Sequence, residues 1–409
     1  MICECATEKS SLRRRIVRSA LWRKRDDKTV LITGARAPIA LDLAHSFHAA
    51  GYQPHLADCI RPWTAHWSRF GRSQLHRFAP PRTQFSAFTA DIARLVDRLD
   101  PVLIIPACEE VFYLAEAAAT LQLHDRVFAP PLPLLRQLHS KIAFASLVQS
   151  CGLTGPATRR VTSRAALQEW VPHAASLVFK PEFSRFATNT LVRPTARALA
   201  KINPTSKTAW AVQDFIEGTE ICLWSAARHG QIIAFAAYQP RWRLGHSSSF
   251  YFEPDHDPKL LEFCKIIAQR TNVTGQLAFD IIRDPTGTIH PLECNPRGVS
   301  GIHLFAATPS LARALTGEAE LALAPIVPRH LAPAMWLLGS PRALGRGQWP
   351  RFRSDLRRSS NALTFTGDHW SNVAAILDAM RFLATGLRNG RTAAGQSTDD
   401  IEWNGEPIA

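Results

Sequence analysis

The sequence predicts a multidomain chain, α/β at the start and α+β afterwards. Three observations predict it. Residues 29–58 read strand, turn, helix, strand; residues 220–239 and 275–297 each read as a hairpin; and Pro130, Pro131 and Pro133 interrupt the chain between the two patterns.

TVLIT (29–33) is a short β-branched run, Gly34 begins a turn, residues 39–50 carry apolar side chains at helical spacing, and Gly51 stops them. A second strand starts at 55–58, an order that predicts parallel strands. The turn reads G-A-R-A-P, so a dinucleotide site built on G-x-G-x-x-G is not supported. VLIIPA (102–107) is an apolar strand and residues 109–123 follow as a helix. Residues 29–130 are therefore expected to form one Rossmann-like domain with a parallel sheet.

After the prolines, residues 140–152 read as a helix with Ser140 as N-cap and Gly152 as its stop. LVFKP (177–181) is a strand that runs into the polar stretch 182–190, and residues 209–216 are another. The first hairpin turns at His229-Gly230 and the second at Asp284-Pro285-Thr286-Gly287. Beyond 326 come an Arg-rich stretch (342–358), an amphipathic helix over 372–387 and a polar tail after Gly390.

A length of 409 residues allows about two to four structural units. No run approaches the ~20 apolar residues of a membrane-spanning helix, and residues 1–28 lack a secretory core. A chain without membrane contact is expected. Eight cysteines without a C-x-x-C pair read as reduced thiols, which suits the cytoplasm. The net charge of +14 is partly local, since residues 1–28 hold nine Lys/Arg and read as a flexible basic leader. No aromatic interleaving accompanies the arginines, so nucleic acid is not the expected partner.

The chemistry concentrates in AFDII…LECNPR. The Pro-Thr-Gly turn would bring Asp280 and Glu293 side by side on antiparallel strands, with Asn295 on the face of Glu293. An oxygen-only trio suits Mg²⁺, and two acids buried together need a cation.

Asp280, with Glu293 thirteen residues later inside hydrophobic-E-x-N-x-R, resembles the metal-binding strands of the ATP-grasp superfamily. The resemblance spans about residues 29–315. The opening TGARAPIALDLA and the segment I-P-A-C-E-E resemble the carbamoyl-phosphate-synthetase-like, carboxylate–amine ligase branch. It implies an ATP-grasp fold of two α+β subdomains, a lid (131–212) and a catalytic part (213–325), then a C-terminal extension (326–409). It further implies ATP and Mg²⁺, with Mn²⁺ as an alternative, held by Asp280, Glu293 and Asn295. Lys180, ending the LVFK strand, and Lys141, early in the 140–152 helix, would reach the phosphates. Lys141 also reads as a solvated first-turn lysine. VQDFIEGTE resembles the adenine hinge: Gln213 stands at its first position, the backbone of Asp214 and Ile216 would meet the base, and Glu220 the ribose. The 182–190 loop lacks the glycines of many relatives, and Ser184, Arg185, Thr188 and Asn189 are its substitute donors. Arg297 would contact the transferred phosphate or a substrate carboxylate.

The reaction so implied joins a small-molecule carboxylate to an amine through an acyl phosphate. Arg241, Arg243 and His246 are candidate substrate anchors, and Gly298, Ser300 and Gly301 are small enough to admit a substrate to the backbone. Glu109 and Glu110 lie where parallel strands end, a common ligand position, or are plain helix-start acids. A homodimer follows from the resemblance. Two rivals stay open: a basic protein that binds nucleic acid or an anionic surface, and a nucleotide-binding regulator without turnover.

Overall fold

The computed structural model describes residues 28–71, 73–185, 189–243 and 249–408. The leader up to residue 27, Thr188 and His246 lie outside the described residues.

The first domain runs β1 (Thr29–Thr33), α1 (Ile39–Ala49), β2 (Gln53–Asp58), β3 (Leu75–Arg77), α2 (Phe85–Leu99), β4 (Leu103–Pro106) and α3 (Val111–Leu121). Its strands are parallel in the order β3-β2-β1-β4. Helices cover parallel sheets on both faces, so β1 and β4 are buried along their whole length. Gly34 leaves β1 at φ +68°, and a Cβ there would lie 2.7 Å from both carboxylate oxygens of Glu110. Glycine is what lets that acid close over the strand end.

Pro131 and Pro133 do more than interrupt the chain. They start α4 (Leu132–His139), where a missing N–H leaves no bond unmade. α5 (Lys141–Ser150) begins directly after it, and the Ser140 hydroxyl accepts the Ala143 N–H at 3.1 Å. The next unit is an antiparallel sheet of β5 (Thr158–Val161), β6 (Leu177–Pro181), β7 (Leu191–Val192) and β8 (Trp210–Asp214), in the order β5-β8-β6-β7. It has a small core of its own around Phe179, Trp210 and Val212. Because β8 pairs through Asp214, the boundary read from sequence at 212/213 falls inside a strand.

A larger, mainly antiparallel sheet follows. It contains β9 (Thr219–Arg228), β10 (Gln231–Arg243), β11 (Ser249–Pro254), β12 (Gly275–Arg283) and β13 (Ile289–Asn295), with α6 (Pro258–Thr271) between β11 and β12. His229 and Gly230 both take positive φ (48° and 75°), as a two-residue hairpin turn requires. After α7 (Pro309–Thr316) come β14 (Ala322–Leu323), β15 (Arg329–His330), α8 (Trp349–Arg358), β16 (Ser360–Asn361) and α9 (Ser371–Arg388). The sheet order is β13-β12-β9-β10-β11-β15-β16, with β14 beside β10. One apolar cluster joins Val30, Ile39 and Phe47 of the first domain to Trp224, Phe252 and Phe305. The first domain and the large sheet therefore hold each other in place.

The tail after Gly390, expected as merely polar, packs. Ile401 and Trp403 are each 1% exposed and enter the first domain's core beside Phe88 and Phe112. Two large apolar side chains among polar neighbours show no periodicity, so the pattern hid them. Among the described residues no helix is long and apolar enough to cross a membrane.

Candidate active site

Asp280 and Glu293 are direct cross-strand partners on β12 and β13, beside a register irregularity between Asp280 and Ile281. Such an irregularity turns side chains locally. The Asn295 amide lies 3.5 Å from Asp280 Oδ2. Cys294, the residue between the two proposed ligands, points into the core, as strand alternation requires.

Two lysines converge on this pair. Lys141 Nζ is 3.6 Å and Lys180 Nζ 3.7 Å from Glu293 Oε2. Lys141 is only 2% exposed, so the solvated first-turn reading does not hold. It is drawn inward because α5 is tied to the loop after β6. The Ser140 hydroxyl donates to Glu182 at 2.6 Å, and Lys141 Nζ donates to the Ser184 carbonyl at 3.1 Å. Burial lowers the Lys141 ammonium pKa, although Glu293 pulls it up. Burial and the neighbouring Glu293 drive the Asp280 carboxyl upward. Burial would raise Glu293 too, but Lys141 and Lys180 hold it below the usual range. One acid of the pair is thus neutralised by lysines and the other is short of positive charge.

Arg297 meets a partner from the first domain. Its Nε lies 2.7 Å from Glu109 Oε1, and its Nη2 donates to Asn295 at 3.4 Å. Glu109, 1% exposed, is neither a free ligand-binding acid nor a plain helix-start acid; it holds Arg297. Burial acts to raise its pKa, but Arg297, Arg185 and His139 bring it below the usual range. His139 is pushed down to about 4 by burial. Glu110 accepts from the Thr33 hydroxyl at 2.7 Å and the Ala107 N–H at 3.1 Å, and burial lifts it to about 7.

A cavity of about 560 Å³ opens here, with walls from the first domain, the β6 sheet, the large sheet and α9, a volume within the usual range of small-molecule sites. Lys180, Asp280, Glu293, Asn295, Arg297 and Ser300 all face it. Glu220 faces it too, but a two-pronged pair with Arg243, at 2.8 and 2.6 Å, engages both of its oxygens. Gln213 is buried and donates to Thr158 and to the Leu292 carbonyl. The Asp214 N–H is taken by Ala157 and that of Phe215 by Ser176. The Ile216 N–H has no backbone acceptor among the described residues.

Three expectations need correction. Arg241 does not face the cavity; it pairs with Glu253 at 3.0 Å and Asp355 at 3.6 Å. Gly301 is small for the sake of packing, because a Cβ there would lie 2.6 Å from Trp224 Cβ. Arg185 is committed to the tail, donating to Thr398 at 2.8 Å and pairing with Glu402. Sequence reasoning also missed Arg36, a cavity residue clamped by Asp58 at 2.6 Å and by Asp400. The arginine in G-A-R-A-P, directly after the strand–turn, was the available signal.

No protein-family model matches the chain, and no curated protein matches it in sequence. Solved structures do match it in shape. An L-amino acid ligase from Bacillus licheniformis superposes with a TM-score of 0.52 at 14% identity, over 71% of this chain and 75% of that one. An N5-carboxyaminoimidazole synthetase from Staphylococcus aureus, complexed with ADP, gives 0.59 at 12% identity over 77% and 85%. The chain has the ATP-grasp fold. A biotin carboxylase–β,γ-ATP complex from Campylobacter jejuni gives 0.55 at 13% identity over 73% and 72%. At these identities the ATP-grasp likeness is one of fold.

Proposed function

We propose that the chain is an ATP- and Mg²⁺-dependent ligase that activates a substrate carboxylate as an acyl phosphate and passes it to an amine, releasing ADP and phosphate. The observation that carries this reading is the meeting of two half-buried acids, a carboxamide and Lys180 on one cavity wall, with the buried Lys141 beside Glu293.

The donor set fits a hard cation. It offers oxygens alone, and two acids and a carboxamide meet there. Asp280, Glu293 and Asn295 would hold Mg²⁺ or Mn²⁺, which when bound neutralises phosphate oxygens. Lys141 and Lys180 bind the nucleotide phosphates, Lys141 at the start of α5, where the helix dipole also favours anions. The Ile216 N–H is available to the adenine edge, and Gln213 braces the strand that leads to it. Glu220 reaches the ribose by sharing its oxygens with Arg243.

Arg297, steadied by Glu109, orients the substrate carboxylate. A carboxylate oxygen then attacks the γ-phosphorus, and the bond to the bridging oxygen breaks as ADP departs. The amine nitrogen attacks the acyl carbon, the carbon–oxygen bond to phosphate breaks, and the surplus proton leaves with the phosphate. Exclusion of water protects the acyl phosphate between the two steps. The chain works on these small molecules in the cytoplasm as a homodimer.

ADP release is to be measured with Mg–ATP across a panel of carboxylates and amines. Turnover with at least one pair is expected, and Glu293→Ala should abolish it while the protein stays folded. ATP binding undetectable by calorimetry refutes the reading.

A further inference from the structure

We infer that the carboxylate substrate carries an uncharged, apolar arm, received by a wall that the first domain and the C-terminal extension build together; this rests on the ligase reading above. The cavity does not end at the strands bearing Asp280 and Glu293. It continues along the start of α1, where Ala37, Pro38 and Ile39 line it, and along α9, where Ala375, Ala379 and Phe382 line it. The three α9 positions are spaced four and then three apart, so they share one helix face. Three short apolar residues meet an alanine-lined face with one aromatic ring.

A charged arm needs a counter-charge, and this wall has none to offer among the described residues. Arg36 is held by Asp58 and Asp400. Asp378 accepts from the Trp63 and Thr64 amides and the Thr64 hydroxyl at 2.9, 2.8 and 2.6 Å. His303 is bonded to Asp42 at 2.7 Å, and Arg243 is taken up by Glu220. The remaining charged lining residues (Lys180, Asp280, Glu293, Arg297) belong to the nucleotide, the metal and the carboxylate head. An ionised arm would lose its water and gain no partner. An apolar arm gains from the same desolvation, about fourfold per methylene buried, or about 0.8 kcal/mol.

The test uses the full chain with Mg–ATP, a fixed amine and amino acids as acids: glycine, alanine, valine, leucine and phenylalanine against aspartate and lysine. ADP release should rise in kcat/KM by about fourfold per methylene until the cavity fills. Aspartate should fall about 100-fold below leucine, which matches it in size. Ala379 is exposed on α9, so substitution there does not threaten the fold. Ala379→Asp should cost the apolar acids about 100-fold, and Ala379→Leu should exclude phenylalanine before alanine. Loss of ATP binding in the unmodified chain, read by calorimetry, strikes at the ligase reading. Normal ATP binding with charged and apolar acids equally good overturns this inference alone. An Ala379→Asp chain that keeps the original ranking overturns it as well, and an apolar preference that appears only when the amine is varied overturns the assignment to the carboxylate.

Discussion

Replacing Trp403 by alanine tests whether the C-terminal tail belongs to the working protein. The indole is 1% exposed, stacks on Phe112 at 4.8 Å and meets Phe183 edge-on at 5.3 Å. Its Nε1 donates to the Glu406 carbonyl at 2.7 Å, and the Arg136 guanidinium lies 5.8 Å from the ring. Truncating a buried tryptophan costs about 3–5 kcal/mol, and the cost is greatest where neighbours cannot collapse into the gap. Phe112 is fully buried on α3 and cannot follow, so a loss of about 4 kcal/mol is expected. The assay is the midpoint of urea unfolding, with Trp403→Phe as a control that keeps the stacking and loses less than half as much. Phe183 sits in the loop after β6, beside the Ser184 carbonyl that receives Lys141. A higher KM for ATP should therefore accompany the stability loss. A cost below about 1 kcal/mol would refute the packing of the tail.

Three further outcomes are expected. Glu110 titrates near 7 in the fold, above its ordinary value, so its contribution to stability is complete in acid and is lost as pH rises through 7; Glu110→Gln should flatten thermal stability between pH 5 and 8, recovering up to roughly 3 kcal/mol at the alkaline end. Lys141→Met removes one of the two ammonium groups beside Glu293 and should lower kcat/KM for ATP by on the order of 100-fold in an ADP-release assay; a change under about threefold contradicts a phosphate role. Glu109→Gln loosens Arg297 and should raise KM for the carboxylate by about 10-fold or more while calorimetric ATP affinity holds; equal losses in both would mean that Glu109 supports only the fold.

By itself the sequence determined strands β1, β2, β4, β6 and β8, the two hairpins and the acid pair. β1 and β6 came out at their observed limits, and the Asp284–Gly287 turn was enough to bring Asp280 against Glu293. These features depend on neighbours in the chain: a period of two, a turn residue, a helix cap. Packing decided the rest. Lys141 is buried beside Glu293 only because Ser140 and Glu182 tie α5 to a loop more than forty residues away. Arg297 is aimed by Glu109 from another domain, and Arg241 is drawn off by Glu253 and Asp355. The polar-looking tail hides Trp403, and α9 completes the cavity from the far end of the chain. Periodicity states which face of an element is apolar; it carries no information on which distant element will cover that face, or which charge will meet another once water is excluded.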